Sequence, residues 1–171
     1  ILQATQDITI DDLVTNSITW TTAADLILQA GRNITFSAGA AAQTIGSTGG
    51  GNIHVEADSP HTDVAGAGDG TGTLTIGNNI TLSTDGAGAD GDITLMGADF
   101  AISGTVNAGN GNITVGPSTN TGLTLGTGGE LTDAEIDNFT SNGTLNIGEV
   151  TTKILQATQD ITIDDLVTNS I

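Results

Sequence analysis

The sequence predicts an all-β fold of the solenoid type, a parallel β-helix, and three observations lead there. First, short apolar–polar–apolar units recur along the chain, and alternation with period two is the mark of a strand with one face buried. Second, Gly, Asn and Asp cluster between these units, where a chain turns. Third, the units follow one another at short, similar intervals with no helical pattern between them, as stacked repeats do. Composition agrees: 36% of the residues are hydrophobic, aromatics are 2%, and Gly accounts for 25 of 171 positions and Thr for 30. Thr, Gly and Asn are poor helix formers. Two prolines and no strict Gly period exclude collagen, and the steady supply of Ile, Leu and Val argues against disorder.

The strand unit is Asp or Asn, then an aliphatic residue, a polar one, and a second apolar one. It reads Asp7-Ile8-Thr9-Ile10, Asn33-Ile34-Thr35-Phe36, Asn52-Ile53-His54-Val55, Asn79-Ile80-Thr81-Leu82, Asp92-Ile93-Thr94-Leu95 and Asn112-Ile113-Thr114-Val115. Ile34 and Ile93 stand at inward positions and belong to the expected core. Successive units starting at 33, 52, 73, 92 and 112 suggest a coil of roughly 19 residues. Eight such coils would rise about 38 Å at the spacing of neighbouring strands. Gly49-Gly50-Gly51, Gly77, Gly91, Gly109 and Gly111 are expected to supply positive φ at corners. The Asn and Asp residues that open each strand are expected to stack and hydrogen-bond along the axis. The Asn-x-Thr triplets are read as corners for the same reason. Two segments interrupt the rhythm. Residues 56–72 read as a loop outside the coil. Residues 131–139 read as a short helical turn, with Thr132 and Glu135 as a capping box.

A longer repeat overlies the short one. Residues 1–18 and 154–171 are both ILQATQDITIDDLVTNSI, identical at an offset of 153. The chain therefore divides into one repeat, 1–153, and the start of the next, 154–171. It begins with neither Met nor a leader, which reads as an internal or mature segment.

Several residues carry a resemblance to a known family. Leu26–Phe36, LILQAGRNITF, is similar to the "L-x-L-x-A-G-x-[ND]-I-T-L" coil of filamentous-haemagglutinin-like exoproteins, the large surface adhesins of two-partner secretion. Gly51–Asp58 followed by Gly72–Gly77, and Leu131–Asp137 followed by Gly143–Gly148, resemble pairings found there. The resemblance implies a right-handed parallel β-helix at the bacterial cell surface, in an extracellular setting.

Charge narrows the partners. Twenty carboxylates against Arg32 and Lys153 give −18, which repels nucleic acid and anionic lipid. Cysteine is absent, so thiolate metal sites and disulfides are excluded. No apolar run approaches the roughly 20 residues of a membrane span. Catalysis is not expected. His54 sits at an outward strand position, His61 in a loop, and no nucleophile motif is present. No cofactor is required. The candidate ligand is Ca2+, for which Asp58, Asp63 and Asp69 of the 56–72 loop are the proposed ligands, with Asp85, Asp90 and Asp92 as a second cluster. The alternative is a solvated acidic face. Outward threonines, Thr9, Thr35, Thr75, Thr81, Thr94 and Thr114 among them, raise a further alternative, a flat ice-binding array. The expected function is structural: a filament or adhesin stalk that pairs with itself, coil on coil, with divalent cations as possible bridges. The alternative is an adhesin module that binds a host receptor or glycan through the 56–72 loop.

Overall fold

A computed structural model of the chain describes residues 1–11, 17–37, 40–60, 67–119, 122–148 and 162–163. Strands dominate it, and every strand pairing is parallel. The first circuit holds β1 (Leu2–Ala4), β2 (Ile8–Ile10) and β3 (Ile18–Trp20). The second holds β4 (Leu26–Ala30), β5 (Ile34–Phe36) and β6 (Gln43–Ser47), and the third β7 (Ile53–Glu56), β8 (Thr73–Ile76) and β9 (Ile80–Ser83). The fourth holds β10 (Ile93–Met96), β11 (Asp99–Ile102) and β12 (Thr105–Asn107). After β13 (Ile113–Gly116) come β14 (Thr124–Leu125), a one-turn helix α1 (Asp133–Ile136), β15 (Phe139–Thr140), β16 (Leu145–Ile147) and β17 (Thr162–Ile163).

The chain visits three sheets in a fixed order. Sheet one is β1-β4-β7-β10-β13-β16, sheet two β2-β5-β8-β11, and sheet three β3-β6-β9-β12-β15. Sheet two continues past β11, because Phe100 N–H donates to the Glu130 carbonyl at 3.2 Å and Leu131 bridges Leu125 in parallel. β14 in turn pairs with β17, Thr124 opposite Thr162 and Leu125 opposite Ile163.

In-register pairing makes apolar ladders. Leu28, Val55, Leu95 and Val115 are partners in turn. So are Ile34, Leu74 and Phe100 in sheet two, and Ile45, Leu82 and Val106 in sheet three. All these side chains are buried, and they form one continuous core with the inward residues of all three sheets. Ile34 and Ile93 lie in it as expected. Each such side chain contributes roughly 1.5–3 kcal/mol by leaving water. Among the described residues no buried side-chain polar atom lacks a hydrogen-bond partner.

The circuits differ from the expected coil of 19 residues. In sheet one the step is 26 residues from Gln3 to Gln29, 27 from Gln29 to Glu56, 40 from Asn52 to Asp92, 20 from Asp92 to Asn112 and 32 from Asn112 to Thr144. The reason is that the Asn/Asp–Ile–Thr unit opens strands on more than one sheet. Asn33 leads into β5 of sheet two, while Asn52 leads into β7 of sheet one. The intervals from 33 to 52 and from 52 to 73 are thus two parts of one circuit, whose full step from Asn33 to Thr73 is 40 residues. The eight expected coils become six strand steps between β2 and β17, an advance of about 29 Å.

The corner glycines also act differently from expectation. Gly50 and Gly109 do adopt positive φ. Gly51, Gly91, Gly111 and Gly143 do not; they form a column in which backbones touch. A methyl group on each would lie 2.0 Å from the Ala24 carbonyl oxygen, 2.3 Å from that of Gly51, 2.1 Å from that of Gly91 and 2.5 Å from that of Gly111. Glycine at this corner lets the layers close to strand spacing. Gly91→Ala is expected to lose about 1–3 kcal/mol by forcing two layers apart. Gly88→Ala, where a methyl group meets nothing within 4 Å, should stay within about 0.5 kcal/mol of the parent. Urea unfolding followed by circular dichroism distinguishes the two, and equal losses would refute the close-packing explanation.

Candidate functional site

The chemistry of this molecule is concentrated at its corners. Immediately after the glycine column, the first residue before each sheet-one strand uses its side chain to cap the layer above. Asp25 Oδ1 accepts both the backbone N–H and the Nδ2 of Asn52, at 2.8 and 3.0 Å. Asn52 Oδ1 accepts the backbone N–H of Asp92 at 2.8 Å. Asp92 Oδ1 accepts the N–H and Nδ2 of Asn112, at 2.8 and 3.0 Å, and Asn112 Oδ1 accepts the N–H of Thr144 at 3.0 Å. A second ladder runs Asp7, Asn33, Thr73 before sheet two. A third links Asp90 to Asn110 and Asn110 to Asn142. The expected stacking of corner Asn and Asp is present. Acid and amide alternate along the first ladder, so no carboxylate sits directly on another.

The calcium candidates occupy different roles. Asp58 is fully buried with φ of 54°, a conformation that Asp and Asn tolerate better than most residues. Its Oδ1 accepts the Asp69 N–H at 3.0 Å, and its Oδ2 accepts the Gly70 N–H at 2.9 Å and the Ser118 hydroxyl at 3.3 Å. Burial, with the Asp69 charge, holds its carboxyl above the usual range despite those donors. Asp58 thus ties down the base of the 56–72 loop. Asp69 is brought to it through its backbone, and its own carboxylate accepts the Thr71 hydroxyl at 2.5 Å. Asp63 and His61 lie outside the described residues. Asp90 binds the Asn110 and Gly86 N–H groups, which hold its carboxyl below the usual range, and Asp85 accepts from Asn107 Nδ2. Among the described residues no group of three or more acidic or histidine side chains converges in a way that could hold a metal ion.

The helical turn at 133–136 forms where expected. Glu135 accepts the Thr132 N–H and hydroxyl through Oε2 and the Ile102 N–H through Oε1, which fastens α1 to the end of β11. Glu130 accepts the Thr124 N–H at 2.6 Å; burial opposes its ionisation, but this donor prevails and lowers its pKa. Carboxylates here mostly terminate backbone N–H groups. Arg32 pairs with Asp7 at 4.0 Å, and His54, when protonated, with Glu56 at 3.6 Å.

A ladder on the outer side of sheet one was missed at the sequence level. Gln3 Nε2 donates to Gln29 Oε1 at 2.8 Å, and Gln29 Nε2 donates to the buried Glu56 Oε2 at 2.7 Å. Its signal is visible in retrospect, because Leu2-Gln3-Ala4, Leu28-Gln29-Ala30 and Val55-Glu56-Ala57 are variants of one triplet. The outward threonines divide between sheets. Thr9, Thr35 and Thr75 align in sheet two and end at Ala101; Thr81 and Thr105 align in sheet three; Thr94 and Thr114 align in sheet one beside His54. They do not share one flat array.

Among the described residues, the strands at each end of the stack pair on one side only. β1, β2 and β3 are each terminal in their sheets at one end. Leu2 and Ile18 there are 51% and 45% exposed. A cavity of about 230 Å3 opens beside Ile18, lined also by Trp20, Thr22, Ala24, Asp25 and Leu26. At the other end β15, β16 and β17 are terminal. Among the described residues no helix is long and apolar enough to cross a membrane. Comparison with protein-family models, curated proteins and solved structures gives no match.

Two predictions concern the ladders. Asp92→Asn keeps the acceptor oxygen and should change stability by less than about 0.5 kcal/mol. Asn112→Asp puts a carboxylate over Asp92 and should lose about 1 kcal/mol, a loss that shrinks in high salt. Equal, salt-independent values in urea titrations would refute the role of alternation. The second prediction concerns pH. Burial would raise the Glu56 pKa, but donors from His54, Gln29 and Ser59, with the charge of His54, outweigh it and lower it. A lowered carboxyl pKa stabilises the fold above the ordinary glutamate value, and this stability is lost as the pH falls through the folded value. The melting temperature of the parent should therefore fall more steeply than that of Glu56→Gln below about pH 4.3. Parallel curves would remove Glu56 from the acid response.

Proposed function

We propose that the chain is a right-handed parallel β-helix whose role is structural: a non-catalytic segment of a long extracellular filament or adhesin stalk at a bacterial surface, extended coil on coil. The observation that carries the reading is the pairing of β17 on β14. Thr162 and Ile163 repeat Thr9 and Ile10 at the 153-residue offset, and they add to the far end of the column in which β2 is the near end. The start of the second repeat thus extends the sheet that the start of the first repeat begins. Three further features support a rod. The core runs without interruption through the layers, the corner ladders couple each layer to the next, and among the described residues the outermost strands at each end pair on one side only.

The acidic exterior suits this role. Repeats of equal negative charge resist side-by-side association, while growth along the axis proceeds by backbone pairing. The resemblance to filamentous-haemagglutinin-like coils points to the same setting.

Fibre diffraction and electron microscopy of the assembled protein test the reading. Strands perpendicular to the axis give a meridional reflection near 4.8 Å, and the long repeat should appear at about 29 Å. Compact particles that never elongate, or fibres without the 4.8 Å meridional reflection, would overturn it.

A further inference from the structure

Two connections far apart in the sequence meet on the outside of the stack. The first leaves sheet one after β7 and returns to the layers at β8; the second leaves sheet one after β13. β7 and β13 lie two strand steps apart, with β10 between them, a rise of about 9.6 Å. The connection between those two, from β10 to β11, is only Gly97 and Ala98. It stays close to the layers: Ala98 N–H donates to the Gly72 carbonyl at 3.0 Å, and the Gly97 carbonyl accepts the Ser118 N–H at 3.3 Å. The longer connections on either side of it therefore reach each other over it. The Ser118 hydroxyl donates to Asp58 Oδ2 at 3.3 Å, across 60 residues of sequence. Close by, a methyl group on Gly68 would lie 3.0 Å from Pro60 Cβ and 3.4 Å from the Thr119 methyl group.

Asp58 stands at the centre of this contact. It is fully buried, and its carboxylate accepts the Asp69 N–H, the Gly70 N–H and the Ser118 hydroxyl. Gly68 and Gly70 adopt φ of 65° and 85°, which turns successive N–H groups toward one carboxylate, as in an anion-binding nest. Gly72 closes the neck of the first connection: a methyl group there would lie 2.6 Å from the backbone nitrogen and the Cβ of Asp58. None of the three donors belongs to a strand. The layers around Asp58 are held by other bonds. Its own N–H donates to the Arg32 carbonyl at 2.7 Å, the Ser59 N–H to that of Ala30 at 2.8 Å and the Ala57 N–H to that of Met96 at 2.9 Å. Val55, Leu74, Leu95 and Val115 are fully buried beneath. We propose that Asp58 is a latch: it fastens residues 67–72 and 117–119 into one surface unit that opens and closes as a whole, while the stacked strands beneath stay closed. The unit joins the third layer to the fifth and depends on one carboxylate, because hydrogen bonds to an ionised acceptor are the stronger ones. The latch stands apart from the filament reading, since it needs only these layers.

Hydrogen exchange of the full chain, read by mass spectrometry, tests the latch. Asp58→Asn removes the charge and turns one of the two acceptor oxygens into a donor. Exchange in residues 67–72 should speed up about tenfold, and that of Ser118 and Thr119 by a similar factor, while β8 and β10 stay within about twofold of the parent. Ser118→Ala removes only the hydroxyl. It should speed exchange in residues 67–72 about threefold, although that segment belongs to a different layer. Faster exchange at 67–72 alone in Asp58→Asn, with Ser118 and Thr119 at the parent rate, would overturn the latch. Equal acceleration in β8 and β10, or failure of Asp58→Asn to fold, would overturn it as well, because Asp58 would then be part of the stack itself. Parent-like exchange at 67–72 in Ser118→Ala would overturn the coupling between layers whatever Asp58→Asn does.

Discussion

Backbone N–H groups at the corners are the constraint around which this molecule is built. Strand residues satisfy their hydrogen bonds by pairing with the layers above and below, but a chain that turns three times per circuit must also satisfy the groups where pairing lapses. Here Asp7, Asp25, Asp58, Asp90, Asp92, Glu130 and Glu135, with Asn33, Asn52 and Asn112, accept backbone N–H groups at or near turns. A carboxylate is the stronger acceptor for this purpose. That use accounts for seven of the twenty carboxylates in the sequence.

The same corners set the register. A slip of one residue would turn every inward Ile, Leu and Val to solvent. The glycine column at 51, 91, 111 and 143 and the ladder that follows it at 52, 92, 112 and 144 hold each layer at a fixed place on the one beneath. Close backbone approach and the side-chain cap act together, because the cap reaches the next layer only if the layers meet at strand spacing. Gly-Asn-Ile, Gly-Asp-Ile and Gly-Thr-Leu are thus one structural statement in three spellings.

Much of this was legible before any coordinates. Alternation at Ile34-Thr35-Phe36 and Ile93-Thr94-Leu95 marked the inward residues, because burial on one sheet face writes a period of two. The Asn and Asp corners and the turn at 132–136 were legible because their chemistry is local. The circuit length was not, because one motif serves more than one sheet and the connections between faces vary, so motif spacing mixes part-circuits with whole ones. Asp58 was legible as special but not as a loop anchor, since its partners at 69, 70 and 118 are distant in sequence. In the sequence the glycines at 91 and 111 look like conformational devices; only stacked layers show that they are steric ones.

Variable circuits and invariant corners have a mechanical consequence. A connection that leaves the corner can lengthen, as it does between Glu56 and Thr73, without disturbing the layers, because the core is complete on either side of it: Ile53 and Val55 before it and Leu74 and Ile76 after it are all buried. Loops of this kind are where such a rod can acquire a binding surface at little cost to its stability. The interior has no such freedom, since each layer is the template for the next and an altered corner is felt on both sides. Continuity along the axis is therefore maintained by the physics of stacking itself, while diversity is confined to the outside.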